Sequence, residues 1–527
     1  MIDRRPLIST AALAVIGAYL LRSGDLLAAD PDTGVSHPVH VTPSLKPEMG
    51  TAQVSTAGSQ SMFFHAKTTD GQWDTWLYWY RGMYYLFFLA GTPWGGIGMA
   101  TSADGVHWVE KGMIIRQSSL STAMCAGFTW KSTKFEEDKK FFLGFSETRG
   151  GSTDAHQLIL FAESTDLISW HRLPEAYGFV PDERWYKKTP WCSISTMPSP
   201  DGGLYGYWTA SPKPSVVGEF GFGESRDGVT WKALPPPVVE NIVKGKITSA
   251  DSGKTEDFGG EVGGVAKIGE HYFMMLGINV ATIRKNGFDM GQGSGMLTYV
   301  ADQPQGPFRL AKKNAMLLSG NTYFSRFFQS PSGLLVNHHS FISRENAAEK
   351  TNVFFAPLKR AVVDDEGVLR LKWWEGNNVL KSRLIDLYAA PADRSGLSWI
   401  GRAVRADSAV ILEGKIELPK STDSSPGGIY LEHGSEQGTA ILIGANGLTQ
   451  IGEMRGKDRK FELKDRIDRQ LIMTGSVLVR FLLEQSLFEI YLDDHLIQCW
   501  SLPQPATGRI ALIHPKAMTK LKLWEVR

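Results

Sequence analysis

Cysteine is scarce in this chain: Cys125, Cys192 and Cys499 are the whole complement in 527 residues. Three is an odd number, and the spacing fits no metal-binding pattern, so the cysteines form neither a disulfide framework nor a metal site. At most one disulfide can form. Charge of one sign is also missing. Lys and Arg number 56 against 55 Asp and Glu, a net +1, which argues against a nucleic-acid partner. No apolar run is long enough to span a bilayer with ease. The longest, Leu7 to Leu21, is about 15 residues against the roughly 20 required. Segments with helical period are few, which excludes an α-rich architecture and leaves an all-β one.

The ends of that apolar run are informative. Arg4 and Arg5 precede it, and Leu26-Leu27-Ala28-Ala29 follows it. This is the layout of an export signal over residues 1–29, and it predicts a secreted or periplasmic protein. Retained, the same segment would act as an N-terminal anchor and bring the chain to a membrane. Residues 30–60, rich in Pro, Ser, Thr and Gly, read as a linker or surface arm.

What the chain does have is glycine (55), tryptophan (16) and a repeat. Met99-Ala-Thr-Ser-Ala-Asp-Gly-Val-His-Trp108, Phe161-Ala-Glu-Ser-Thr-Asp-Leu-Ile-Ser-Trp170 and Phe222-Gly-Glu-Ser-Arg-Asp-Gly-Val-Thr-Trp231 are copies of one phrase. The tryptophans lie 62 and 61 residues apart. A period of this size marks a repeated supersecondary unit. Each copy reads as a strand, a Ser-x-Asp turn and a second strand opening with Trp, the outer hairpin of a propeller blade. Tyr299 to Phe308 is a diverged fourth copy. Strand-rich segments over about 73–115, 125–175, 190–235, 261–308 and 323–375 make five blades within residues 61–380. Beyond Trp374 the repeat stops. Alternating strands such as Val477–Phe481 and Leu487–Leu492 predict a β-sandwich over 390–527.

Propeller blades present their innermost strands to a central channel. Asp74, Ala126, Cys192, Glu261 and Arg326 are read as the starts of those strands. Asp74 lies eight residues before Gly82 and Glu261 eight before Gly269, each ahead of an apolar hairpin, so the two carboxylates occupy equivalent places and face one cleft. Two such carboxylates are the minimum for glycoside hydrolysis: one protonates the leaving oxygen, the other attacks or activates water. Trp73, Trp94 and Trp191 adjoin the cleft as stacking platforms for sugar rings. Arg149, Arg326 and His338 are candidates for binding hydroxyls or a carboxylate. Of the pair His338-His339, alternation along a strand lets at most one face the channel. Asp104 and Asp227 are turn residues. Each of these acidic and aromatic residues also has a structural reading, as a strand cap, an ion-pair partner or interblade filling.

Gln72-Trp-Asp-Thr-Trp-Leu-Tyr-Trp-Tyr-Arg-Gly-Met-Tyr-Tyr-Leu-Phe-Phe88, the three repeats, and Glu261 before Gly269-Glu-His-Tyr-Phe273 resemble glycoside hydrolases of families 32, 43 and 68. The layout with a C-terminal sandwich is most similar to family 32. The resemblance implies a five-bladed propeller, an oligo- or polysaccharide substrate, Asp74 as nucleophile (or general base if family 43 is the relative) and Glu261 as acid/base. Three departures stand out. Trp73-Asp-Thr-Trp76 replaces Asn-Asp-Pro-Asn-Gly, Val follows Glu261, and the Arg-Asp-Pro motif is absent, with Trp191-Cys192 in its inner-strand place. A thiol lacks the fixed negative charge that favours an oxocarbenium-like state. Asp182, Asp251, Glu256 and Asp257 are the carboxylates that could serve as the third group in place of Cys192. The expectation is a glycosidase acting on a furanoside or related glycan, with no cofactor, no metal and an open oligomeric state. A carbohydrate-binding propeller without catalysis, a sialidase-like hydrolase and a structural interaction protein are the alternatives.

Overall fold

In a computed structural model of the protein, the residues described are 61–526 apart from 70, 92–93, 152–153, 244–245, 249–254, 258–259, 280–293, 320, 343–352, 401–404, 406–407, 422–424 and 457–458. The export segment 1–29 and the arm 30–60 lie outside them. No helix among the described residues is long and apolar enough to cross a membrane.

Four antiparallel strands make each of the first three blades. Blade I is Trp73–Tyr80, Met83–Ala90, Gly96–Ser102 and Val109–Arg116. Blade II runs from Ser121–Lys131 through Phe141–Arg149 and His156–Ser164 to His171–Arg172. Blade III is Tyr186–Pro198, Leu204–Pro212, Gly221–Ser225 and Trp231–Leu234. A short three-stranded ribbon, Ile242–Val243, Lys246–Thr248 and Thr255–Asp257, separates it from blade IV. Blade IV uses Gly260–Ile268, His271–Asn279 and Ser294–Ala301 with two short outer strands, and blade V begins with Thr322–Ser330 and Gly333–Phe341. The ring closes through the segment just before blade I: Phe64 N–H donates to Phe355 O at 3.0 Å, and Phe355 N–H to Phe64 O at 2.7 Å.

The repeated phrase is the turn between the third and fourth strands of a blade. In blade I, Asp104 Oδ1 accepts the backbone N–H of Val106 (2.9 Å) and His107 (2.8 Å), while Gly105 N–H donates to Ser102 Oγ at 2.8 Å. Asp166 with Ser164, and Asp227 with Ser225, repeat the pattern. The residue after Asp has positive φ in all three: Gly105 at 77°, Leu167 at 65° and Gly228 at 84°. Asp serves here because its short side chain caps successive N–H groups of the turn.

Aromatics fill the wedges between blades. Trp76, fully buried, stacks on Phe87 with centroids 5.6 Å apart and donates its Nε1–H to Thr129 of blade II at 3.1 Å. Trp130 of blade II donates to Gly228 O of blade III at 3.1 Å. The C-terminal region packs a sheet containing Ala409–Glu417, Ser476–Glu484, Leu487–Leu492, His495–Ser501 and Met518–Val526 against a six-stranded sheet containing Gly427–Gly434 and Gln437–Ile443. A core of Val410, Leu412, Ile429, Ile441, Phe481 and Ile490, among others, lies between them. Blade V continues into the first of these sheets, because Lys372 on its last strand pairs with His495.

Candidate active site in the propeller channel

Every inner strand carries a bulge near the same level. The register slips between Trp73 and Trp76, between Cys125 and Phe128, between Val262 and Gly264, between Tyr323 and Arg326, and in the strand Tyr186–Pro198 between Cys192 and Ser195. A bulge adds a residue without a ladder partner and re-aims its side chain. Three of these positions adopt left-handed backbone without glycine: Asp74 at φ 44°, Ser193 at 59° and Phe324 at 39°. Such conformations cost roughly 1–3 kcal/mol each and collect at functional sites.

The bulges gather Asp74, Cys192, Glu261 and Arg326 into one charge field. Glu261 is half-buried and receives two hydroxyl donors. Ser193 Oγ donates to its Oε1 at 2.9 Å and Tyr323 Oη to its Oε2 at 2.8 Å. Asp74, 5% exposed, has an Oδ1 with no partner among the described residues. Arg326 is fully buried, donates to Gly263 O (3.0 Å) and Ser193 O (3.2 Å), and lies over Phe324 at 4.7 Å.

Burial pushes the Asp74 carboxyl well above the ordinary range. The negative charge of Glu261 adds to this, and Arg326 opposes it. Burial also raises Glu261, against the pull of its Tyr323 and Ser193 donors and of Arg326. Arg326 is brought down to about 10 by burial, with Asp74 and Glu261 acting in the other direction. Two carboxyls in one desolvated field do not both ionise readily, so both hold their protons to higher pH than isolated carboxylates. The Cys192 thiol is pushed up by the neighbouring Cys125 thiol and by burial, which keeps it neutral.

One wall of the cluster is aromatic. Trp73 stacks on Trp94 at 6.3 Å and packs on Tyr323 at 6.2 Å, Phe341 at 6.3 Å and His339 at 4.4 Å. His339 is fully buried, and neither ring nitrogen has a partner among the described residues. Burial brings its pKa down to about 3, so the ring is neutral.

The structure thus gathers Asp74, Glu261, Cys192, Arg326, Trp73 and Trp94. It corrects the placement of others. His338 is not in the channel: strand alternation turns it to the opposite face, 3.9 Å from Cys499 Sγ and 3.7 Å from Glu489, and His339 is the histidine beside Trp73. Trp191 is fully buried among Phe179, Tyr186 and Trp208, with its Nε1–H donated to Phe179 O at 2.9 Å, so it fills blade III rather than stacking on a ligand. Arg149 is held by Glu147 and Glu175. Asp182 is paired with Arg184 and is no third carboxylate of this cluster. The side chains of Glu256 and Asp257, and all of Asp251, lie outside the described residues. Tyr323, Ser193 and Cys125 carry no sequence signal of their own, and of the candidate pair it is His339 that lies at the site. Only nearness in the chain to Arg326 and Cys192 points to Tyr323 and Ser193, since Tyr and Ser are common on any strand.

The sequence matches no family model and no curated protein. Its fold, however, is shared by solved structures. Sucrose-6-phosphate hydrolase from Lactobacillus gasseri aligns with TM-score 0.64 at 16% identity, over 89% of this chain and 93% of that one. A GH32 beta-fructofuranosidase from Bombyx mori aligns at 0.63 and 12%, over 88% and 93%. Exo-inulinase from Aspergillus awamori aligns at 0.60 and 13%, over 88% and 98%. The likeness covers propeller and sandwich together and establishes a GH32-like fold.

Proposed function

We propose that this chain is a glycoside hydrolase that cleaves O-glycosidic bonds of a furanoside-type glycan at the channel carboxyls. One observation carries the reading: Asp74 and Glu261 stand on the bulged inner strands of blades I and IV in a common desolvated field with Arg326. The solved structures of the same fold, which include fructofuranosidases and an inulinase, support it. In this reading Glu261 is the acid/base. Burial keeps its proton available for the leaving oxygen, and Ser193 and Tyr323 fix its orientation and stabilise it once the proton has left. Asp74 faces the anomeric carbon as nucleophile, and becomes effective as Arg326 favours its charged form. Trp73 and Trp94 offer the apolar face on which a sugar ring stacks. The substrate would be met outside the cytoplasm, by way of the export segment 1–29.

A second reading rests on Cys192. A neutral thiol stands in the same field as the two carboxyls, and a third fixed negative charge to stabilise an oxocarbenium-like state would have to come from elsewhere. A propeller that binds sugar without cleaving it is consistent with that substitution.

The test is sugar release from fructans, arabinans and aryl furanosides and pyranosides, run with wild type beside Glu261→Gln. Gln keeps the shape and removes the proton. Release by wild type that falls at least a hundredfold in the variant supports the assignment. Equal release by both refutes Glu261 as the acid. Sugar binding without release selects the second reading.

A further inference from the structure

We propose that Cys125 and Cys192 are a disulfide site that cross-links blades II and III at the wall of the carboxyl cluster. The two residues stand on the inner strands Ser121–Lys131 and Tyr186–Pro198, each at the bulge of its strand. The Cys125 thiol stands near enough to Cys192 to raise its pKa. Gln157 holds the two strands in that relation: its Nε2–H donates to Cys125 Sγ at 3.5 Å, and its Oε1 accepts the N–H of Trp191, the residue before Cys192, at 2.7 Å. Cys499, the remaining cysteine, is buried beside Glu489 and His338 at the join between blade V and the sandwich, too far along the fold to compete.

The chemistry is thiol–disulfide exchange with an external disulfide. The Cys125 thiolate, on the partly exposed residue of the pair, attacks one sulfur of that disulfide and expels the other as a thiolate. Cys192, its neighbour on the adjoining inner strand, gives up its proton and attacks the mixed disulfide at Cys125. The Cys125–Cys192 bond forms and a second external thiolate leaves. Two cysteines lose two electrons in all, the external disulfide gains them, and the released protons end on its two thiols. A leaving group that resists becoming a thiolate departs slowly, so the buried Cys192 makes the finished bond slow to reduce. That favours a permanent cross-link over a switch. The bond would also hold Ser193, next in sequence to Cys192 and a donor to Glu261, in place.

The experiment uses the full chain and oxidised glutathione. The protein is exposed to it once while folded and once during refolding from the reduced, denatured state, so that burial cannot block the reaction. Free thiols are then alkylated in denaturant and counted by mass. The expected result is one alkylated cysteine, Cys499, against three in the reduced control, with one peptide pair joined through residues 125 and 192. Cys125→Ser and Cys192→Ser should each leave two alkylated cysteines and no joined pair. Three alkylated cysteines after oxidative refolding, or a bond that includes Cys499, would overturn the proposal. Neither count depends on whether the protein cleaves a glycoside.

Discussion

Tyr323→Phe isolates one hydrogen bond at the centre of the proposed chemistry. The substitution removes a single oxygen from a buried side chain whose hydroxyl donates to Glu261 Oε2 at 2.8 Å. A hydrogen bond to a charged acceptor is worth about 1.5–3 kcal/mol. It acts on the ionised form of Glu261, so its loss makes that form harder to reach. With about 1.4 kcal/mol per pKa unit, the Glu261 pKa should rise by roughly one to two units. The assay is kcat/KM against pH on whichever glycan the panel identifies. The limb that moves also assigns the role. If Glu261 acts protonated, the alkaline limb moves to higher pH; if it acts ionised, the acidic limb does. Carbon-13 NMR of the glutamate carboxyls reads the same shift without substrate. The aromatic ring remains, so circular dichroism and the melting temperature should change little. A Glu261 pKa that stays put or falls in a folded variant would refute the reasoning.

Other perturbations test the fold and the site separately. Asp74→Asn should gain stability relative to wild type as pH rises above about 4. The wild-type carboxyl is raised in the folded state, so folding retains a proton that the unfolded chain has released, and stability is lost with rising pH until the folded group ionises. Parallel Tm–pH curves for the two proteins would contradict this. Asp104→Ala should cost about 1–2 kcal/mol near neutral pH, since Asp104 holds two backbone N–H groups. Its pKa is lowered to about 2, so the difference should fade as pH drops from about 4 toward 2, as urea melts would show. Trp76→Ala should cost about 3–5 kcal/mol, because it empties the wedge between blades I and II and leaves Thr129 without its indole donor. Glu489→Gln leaves the buried Lys359 ammonium, now 2.5 Å from the carboxylate, without its counter-charge. A loss of about 3–5 kcal/mol is expected in denaturant unfolding, with part of it recovered by adding Lys359→Met.

Much of the fold was legible because its signals are local. Asp104, Asp166 and Asp227 mark their turns through contacts within three residues, so the Ser-x-Asp spacing located the outer hairpins of three blades. The ribbon at 242–257 carries no such signal, since its strands are two and three residues long. Within the site, the equal offsets of Asp74 and Glu261 to the hairpin glycines placed both on the inner strands of their blades. His338 and His339 were harder to separate. Alternation places their rings on opposite faces, but only the packing of blade V against the sandwich decides which face is the channel. Trp191 misled for a related reason. It adjoins the inner strand, yet its ring lies in a cage of Phe179, Tyr186 and Trp208 drawn from three separate segments.

By itself, then, the sequence determined the all-β class, the blade period and the equivalent blade positions of Asp74 and Glu261, because turn chemistry and strand period act between residues close in the chain. Tertiary structure alone decided what surrounds those carboxyls. Ser193, Tyr323 and Arg326 reach Glu261 and Asp74 from blades III and V, and Cys125 stands near Cys192 across a blade boundary. Desolvation and charge coupling depend on distances through space, and those exist only once five blades have closed into a ring and the bulges have turned their side chains inward.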